Sequence, residues 1–144
     1  MSEIEALQAT LAAEHAAVYV YGVLGGQTTQ SGEPALFAAV TSAYTTHRGR
    51  RDVLTRDLTD LGADPVAAAA AYDVPAPLRA PAQLCRVARD VEDACAATYA
   101  ALVASTTGHR RRWAVTALED AAVRVLAFRG TPEMFPGADE YTDR

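Results

Sequence analysis

Seven prolines divide this chain, and their placement restricts it to a bundle of long helices. A proline inside a helix costs about 3 kcal/mol or more, so helices form in the long segments that lack one. In the first such segment, apolar residues recur every three or four positions, and Glu14 takes the one remaining place in that series. The pattern predicts one domain over residues 1–144, with helices at about 2–24, 34–61, 83–105 and 109–129 and a tail at 130–144.

The links between these helices predict their directions. Residues 72–82 contain Pro75, Pro77 and Pro81 and cannot form regular helix or central strand. Extended, this segment reaches about 36–40 Å, and a helix of about 23 residues is roughly 34 Å long. It can therefore cross the whole bundle, whereas the link 106–108 is so short that the third and fourth helices must be antiparallel neighbours. We expect an all-α, ferritin-like four-helix bundle, up-down-down-up, with one long crossover between helices two and three.

Composition and charge exclude several classes of protein. The net charge is −5 and 22% of the residues are charged, which argues against a disordered chain and against nucleic-acid binding. Cys85 and Cys95 lie ten residues apart in one predicted helix, about 15 Å along its axis, and cannot form a disulfide there. The apolar stretch around Glu14 is too short to span a bilayer. Since no signal-peptide pattern opens the sequence, we expect a cytoplasmic protein without membrane contact.

Polar side chains occupy inward-facing positions on all four predicted helices. Glu14 lies on the apolar series of the first helix, and Glu92 and Glu119 fit inner faces of the third and fourth. On each of these two alanine-rich helices, a second face could turn inward almost as well. A carboxylate without compensation in a core costs several kcal/mol, so such groups need a proton, water or a cation. We expect a buried polar network of Glu14, Tyr44, His47, Arg51, Glu92 and Glu119.

Two kinds of cation could compensate these carboxylates. One is a metal, because carboxylates and an imidazole converging from four helices are the ligands that hold iron or manganese in bundle cores. The other is an arginine of the chain itself. Arg51 lies one turn beyond His47 on the same face of the predicted second helix, and Arg48 is next to His47 in the sequence. An arginine would neutralise a carboxylate through its planar guanidinium. The sequence favours the internal cation and leaves the metal as the alternative.

Three runs of residues resemble a family of ferritin-like domains of unknown function from high-GC bacteria. They are Glu-His-Ala-Ala-Val-Tyr-Val-Tyr-Gly at 14–22, His-Arg-Gly-Arg-Arg-Asp at 47–52, and Phe-Pro-Gly at 135–137. The resemblance spans nearly the whole chain. It implies a ferritin-like bundle and no established activity.

The wider ferritin-like superfamily builds a dinuclear metal site from a Glu on helices one and three and a Glu-x-x-His on helices two and four. By that resemblance Glu14, Glu92 and Glu119 fill three of the acidic places and His47 fills one of the histidine places. Tyr44 stands at the acidic place on helix two, and Ala122 stands at the histidine place on helix four. The resemblance therefore implies that two metal ions are not held here.

These features lead to one favoured function and two alternatives. We expect a binding or structural module with no cofactor and no catalytic residues. The first alternative is an oxidoreductase that binds one Fe or Mn ion through Glu14, His47, Glu92 and Glu119. The second is small-molecule binding between the helices near Tyr44 and Tyr99.

The first helix is apolar around most of its circumference, which predicts burial on more than one side. We expect a homodimer through its outer face, formed by Ala9, Ala13, Ala16, Tyr19 and Val20. In a monomer, the crossover at 67–81 would cover that face instead.

Overall fold

The computed structural model of the chain describes residues 1–128 and 135–136. Four helices make up this part: α1 at Glu3–Gly26, α2 at Pro34–Asp60, α3 at Pro81–Ser105 and α4 at Gly108–Ala127. No strand occurs among the described residues, so the prediction of an all-α four-helix bundle is confirmed. Of the predicted tail at 130–144, only Phe135 and Pro136 lie within the described residues. None of the helices in the described part is long and apolar enough to cross a membrane.

Local sequence accounts for where the helices begin. At the start of α1, Ser2 accepts a hydrogen bond from the Glu5 backbone and Glu5 accepts one from the Ser2 backbone, which is the capping box expected of this residue pair. Both α2 and α3 begin with a proline, whose missing N–H has no partner in a first turn anyway. Gly108 begins α4 with a φ of 60°, a value that favours glycine and permits the tight turn from α3.

Two apolar clusters fix the helix directions. At one end of the bundle, residues from the start of α1 and α4 pack with residues from the end of α2 and α3: Leu7, Leu11, Leu54, Leu58, Leu102 and Ala114. The other cluster joins the second half of α1 to the first half of α2 and α3 and to Phe128 just after α4, through residues such as Tyr21, Leu24, Val40 and Leu84. Thus α1 and α4 run in one direction, and α2 and α3 run in the other.

Residues 61–80, between α2 and α3, lie against the outer face of α1. The Gln8 side chain donates to the Asp64 carbonyl at 2.7 Å and accepts from the Val66 N–H at 2.8 Å. Further along α1, the Tyr19 ring contacts the Tyr72 ring with 5.5 Å between centroids. This segment therefore occupies part of the face through which we predicted a dimer, and the dimer itself stays a prediction.

Candidate functional site

Three ionisable side chains from three helices meet at the centre of the bundle. Glu14 of α1, His47 of α2 and Glu92 of α3 are each fully buried. The His47 Nδ1 lies 2.6 Å from Glu14 Oε2, and its Nε2 lies 3.2 Å from Glu92 Oε1. The imidazole thus joins two carboxylates that have no access to water.

Two tyrosines complete this centre in a reciprocal pattern. Tyr21 of α1 donates its hydroxyl to Glu92 Oε1 of α3 at 2.5 Å, and Tyr99 of α3 donates to Glu14 Oε1 of α1. On each helix the tyrosine follows the glutamate by seven residues, which is about two turns or 10.5 Å. Because α1 and α3 run in opposite directions, the glutamate of one helix lies level with the tyrosine of the other.

Two arginines and an aspartate form an outer layer around the centre. Arg50 of α2 donates to the Tyr99 hydroxyl at 3.2 Å and to Asp120 Oδ2 of α4 at 2.6 Å. Arg124, one turn after Asp120, donates to the same oxygen at 2.9 Å. Its Nε lies 3.5 Å from Glu92 Oε1 and makes no hydrogen bond among the described residues. Centre and outer layer together contain three basic side chains and three acidic ones.

The surroundings of His47 favour its protonated form. Burial alone would lower its pKa, but hydrogen bonds with the Cys95 thiol, Glu14 and Glu92 outweigh burial and raise the pKa to about 11. Burial raises the pKa of the Cys95 thiol to about 11 as well. Burial, followed by the nearby carboxylates, raises the pKa of Tyr21 and Tyr99, so both phenols keep their protons and act as donors. The centre is therefore an imidazolium between two carboxylates, each of which also accepts from a tyrosine.

The arginines of the outer layer likewise favour the ionised form of Asp120. Burial opposes ionisation of Asp120, but hydrogen bonds and charge from Arg124 and Arg50 lower its pKa below the ordinary value. Its side chain is 40% exposed, so water screens part of this attraction. The two arginines thus hold an ionised aspartate at the edge of the network.

Of the predicted network, the structure brings together Glu14, His47 and Glu92 and places the other three residues elsewhere. Tyr44 is half-buried, with the Arg48 guanidinium 5.5 Å from its ring centroid. Arg51 forms a surface ion pair with Asp52 at 2.8 Å. Glu119 is exposed.

The wrong placements of Arg51 and Glu119 have one physical cause. Adjacent helical residues point about 100° apart, and in both cases the neighbouring residue faces inward instead: Arg50 in place of Arg51, and Asp120 in place of Glu119. The buried residues of α4 are small, namely Ala114, Ala117, Ala121 and Val125. An alanine-rich helix has few bulky side chains to fix its inner face, and here the face with smaller side chains packs against α3.

Sequence reasoning misses the network roles of Tyr21, Tyr99, Cys95 and Arg124. It considers Tyr99 only for a small-molecule site and Cys95 only for the excluded disulfide. A signal for the tyrosines is present, because Glu-x6-Tyr occurs on two helices predicted to run antiparallel. Arg124 carries no such signal, since its contacts depend on which face of α4 turns inward.

The residues present do not fit a dinuclear metal centre. Such a centre takes ligands from all four helices, and in this structure α4 places no free donor at the centre. Glu119 is exposed, Ala122 has no donor atom, and the Asp120 carboxylate is bound by Arg50 and Arg124 in the outer layer. The guanidinium of Arg124 lies beside Glu92, where it would repel a divalent cation. That Tyr44 and Ala122 remove this chemistry stays a prediction.

A smaller ligand set is present at the same centre. Single donor atoms of Glu14, His47 and Cys95 lie within 4.8 Å of one another, and all three residues are buried. The Glu92 Oε2 atom is buried and makes no hydrogen bond among the described residues. The three donors within reach of a single ion are those of Glu14, His47 and Cys95, and Glu92 lies outside this set.

Fold and site together define an all-α four-helix bundle with a buried ion-pair network. The chain belongs to the family described as "Domain of unknown function (DUF4439)", which matches residues 6–140. It is similar to a solved structure, the crystal structure of a conserved hypothetical protein, rv2844, from Mycobacterium tuberculosis. That likeness has 31% identity and a TM-score of 0.80, over 88% of this chain and 87% of the other. A comparison with curated proteins gives no match.

The family result confirms the predicted resemblance at the level of a domain family of unknown function. The ferritin-like relationship and the high-GC bacterial range stay predictions. Neither the description of the family nor that of the mycobacterial protein states an activity.

Proposed function

We propose that this protein is a ferritin-like bundle in which a charge network takes the place of a dinuclear metal centre. The charge network consists of the centre and the outer layer described above. We propose further that the protein acts as a binding or structural module rather than as an enzyme. The observation that carries the proposal is the position of His47, whose two ring nitrogens face Glu14 and Glu92 at 2.6 and 3.2 Å. An imidazolium has no lone pair for a metal. Both carboxylates also accept from tyrosines, which occupies oxygen atoms that a metal would need.

The balance of charge supports the same proposal. A buried carboxylate that loses its partner typically costs 3–5 kcal/mol, and here each carboxylate faces the same imidazolium. Arg124 approaches Glu92 from α4, the helix on which the resemblance implies a histidine ligand. The network therefore compensates its own acidic groups, and the fold does not require a metal for this purpose.

Elemental analysis of the protein as purified, before any chelator, tests this proposal. We expect Fe, Mn and Zn well below one atom per chain, and no change in thermal stability when a chelator is added. Glu14→Gln is the informative variant, because the amide keeps the shape of the side chain and removes its charge. Stoichiometric Fe or Mn that disappears in a folded Glu14→Gln protein would overturn the proposal.

One observation favours a second candidate, a mononuclear metal site. The donor atoms of Glu14, His47 and Cys95 lie within 4.8 Å of one another, and Glu92 Oε2 has no hydrogen bond in the described part of the chain. A thiolate, an imidazole and a carboxylate are a donor set suited to Zn²⁺ or Fe²⁺. Glu119, which the sequence suggested as the fourth ligand, is exposed and does not belong to this set.

Titration with Co²⁺ distinguishes this candidate from the proposal. Thiolate ligation of Co²⁺ gives a charge-transfer absorption band that Cys95→Ser removes, while Cys85→Ser is the matched control because Cys85 lies outside the donor set. We expect no such band in the wild-type protein. A band that is lost only in Cys95→Ser would establish the mononuclear site.

A further inference from the structure

A cavity beside the charge network lies between α1 and α3, under the segment that joins α2 to α3. Its volume is about 200 Å³. Asp73 and Pro75 of that segment form one wall, and small residues of the two helices, including Ala16 and Ala94, form the others. Four alanines line the cavity, where longer side chains would fill it.

The interior of the cavity suits a small apolar group. Most of its lining residues are alanine or valine. An apolar cavity of about 150 Å³ holds a molecule of the size of benzene, so about 200 Å³ accommodates one substituted ring or a short branched chain. The cavity is smaller than the roughly 300–1,000 Å³ that drug-sized ligands occupy. Size therefore limits the ligand to a single ring or an alkyl group of similar bulk.

The only charged side chains among the lining residues are two carboxylates, Asp73 and Asp90. Both are exposed. Within residues 1–128 and 135–136, neither forms an ion pair or a side-chain hydrogen bond, whereas Asp52, Asp57 and Asp120 each have an arginine partner. An apolar cavity with two unpaired carboxylates beside it is complementary to a ligand that has an apolar body and a positive charge.

The inner wall of the cavity touches the charge network through Cys95. This residue lines the cavity, and its sulfur lies within 4.8 Å of the ligand atoms of Glu14 and His47. A molecule in the cavity is thus one side chain away from the centre of the bundle.

We propose that this cavity binds a small ammonium compound with one apolar ring or alkyl group, whose apolar part lies between α1 and α3 and whose charge lies at Asp73 and Asp90. The inference rests on the binding role in the proposed function and gives that role a ligand class. Two contributions to the free energy of binding are favourable. One is the burial of apolar surface, and the other is attraction by two carboxylates that stay in contact with water.

Calorimetric and NMR titrations with three probes of similar size and different charge test the proposal. The probes are 2-phenylethylammonium, 2-phenylethanol and phenylacetate, at low ionic strength and with chelator present. We expect the cation to bind about three- to tenfold more tightly than the alcohol, as befits exposed ion pairs, and phenylacetate to bind most weakly. Amide shifts should concentrate on residues 13–20 and 87–95.

Two variants separate the apolar and the charged contributions. Asp73→Asn with Asp90→Asn should reduce affinity for the cation to that for the alcohol, while Asp60→Asn with Asp64→Asn, which removes the same charge where α2 ends, should have little effect. Ala16→Met should fill the cavity and weaken binding of both the cation and the alcohol. Circular dichroism checks that each variant is folded.

Three results would overturn the inference: no saturable binding of any probe, phenylacetate binding as tightly as the cation, or equal effects of the two double variants. These outcomes are distinct from failure of the proposed function. A metal in the centre would appear in elemental analysis whatever the probes do, and the titrations are carried out with chelator present.

Discussion

At the scale of single residues, His47 determines the charge state of the bundle interior. Its ring is fully buried, stacks against the Tyr21 ring with 5.3 Å between centroids, and lies between two carboxylates. Removing it leaves Glu14 buried with Tyr99 as its hydrogen-bond donor, and Glu92 buried with Tyr21 and the Arg124 guanidinium at 3.5 Å. The geometry therefore makes this position sensitive to substitution.

The first prediction concerns the loss of this imidazolium. His47→Gln should lower the free energy of unfolding by about 3–5 kcal/mol, the usual cost of removing one partner of a buried ion pair. Urea unfolding at pH 7 measures the change, and His109→Gln, on an exposed residue at the start of α4, is the matched control. A loss below about 1 kcal/mol would show that His47 is not charged in the folded protein.

The second prediction is a pH dependence with a defined sign. The pKa of His47 is about 11 when folded, against an ordinary value of 6.5, so above pH 6.5 the folded chain retains a proton that the unfolded chain releases. Its contribution to stability is complete below about pH 6.5 and decreases as pH rises toward 11, by up to about 1.4 kcal/mol per pH unit.

The raised pKa values of Tyr21, Tyr99 and Cys95 act in the same direction, but only above the ordinary pKa values of those groups, which are 10.0 and 9.0. Urea midpoints between pH 7 and 8.5 therefore report mainly on His47. The wild-type protein should lose stability across this range, and His47→Gln should lose much less. Equal slopes in the two proteins would contradict a protonated His47.

At the scale of elements, α4 shows what the sequence could and could not predict. The existence of four helices followed from proline placement and apolar spacing, because helix formation depends on local sequence. The inner face of α4 depends on which side packs against α3, and a helix with so many alanines offers two nearly equal choices. The same ambiguity of one residue on α2 explains why Arg50, and not the predicted Arg51, faces inward. Large apolar neighbours define the faces of Glu14 and His47, and the structure buries both side chains in contact with each other.

The third prediction tests the inner face of α4. Asp120→Asn should destabilise the protein by about 1 kcal/mol, because it weakens the charged hydrogen bonds from Arg50 and Arg124 at a partly exposed site. Glu119→Gln, one residue earlier and exposed, should change stability by less than about 0.5 kcal/mol. Thermal unfolding of both variants compares them directly, and a larger effect at Glu119 would restore the face predicted from sequence.

At the scale of the whole molecule, the segment between α2 and α3 is attached to α1 by side chains rather than by regular structure. Gln8 makes two hydrogen bonds to its backbone, and the His15 Nε2 lies 3.0 Å from the Val66 carbonyl oxygen. The predicted dimer would use what this segment leaves exposed on α1, including Ala9 and Tyr19. Light scattering of the purified protein decides between a dimer and a monomer covered by this segment alone.

The fourth prediction addresses that attachment. Gln8→Ala removes both hydrogen bonds to residues 64 and 66 and should accelerate amide hydrogen exchange at Val66 at least tenfold, with a loss of global stability of about 1 kcal/mol or less. Gln30→Ala, in the loop between α1 and α2, is the control. Unchanged exchange at Val66 would show that the segment is held by its apolar contacts instead.

The hydrogen bonds of the charge network join residues 33, 45, 71 and 85 positions apart in the chain. Each helix can begin to form by itself, but these bonds require α1, α2 and α3 to have assembled in register, so we expect them to form after the rate-limiting step of folding. Substitutions in the network should then accelerate unfolding and leave the folding rate nearly unchanged. The interior charges would thus set how long a folded molecule lasts, more than how quickly it is made.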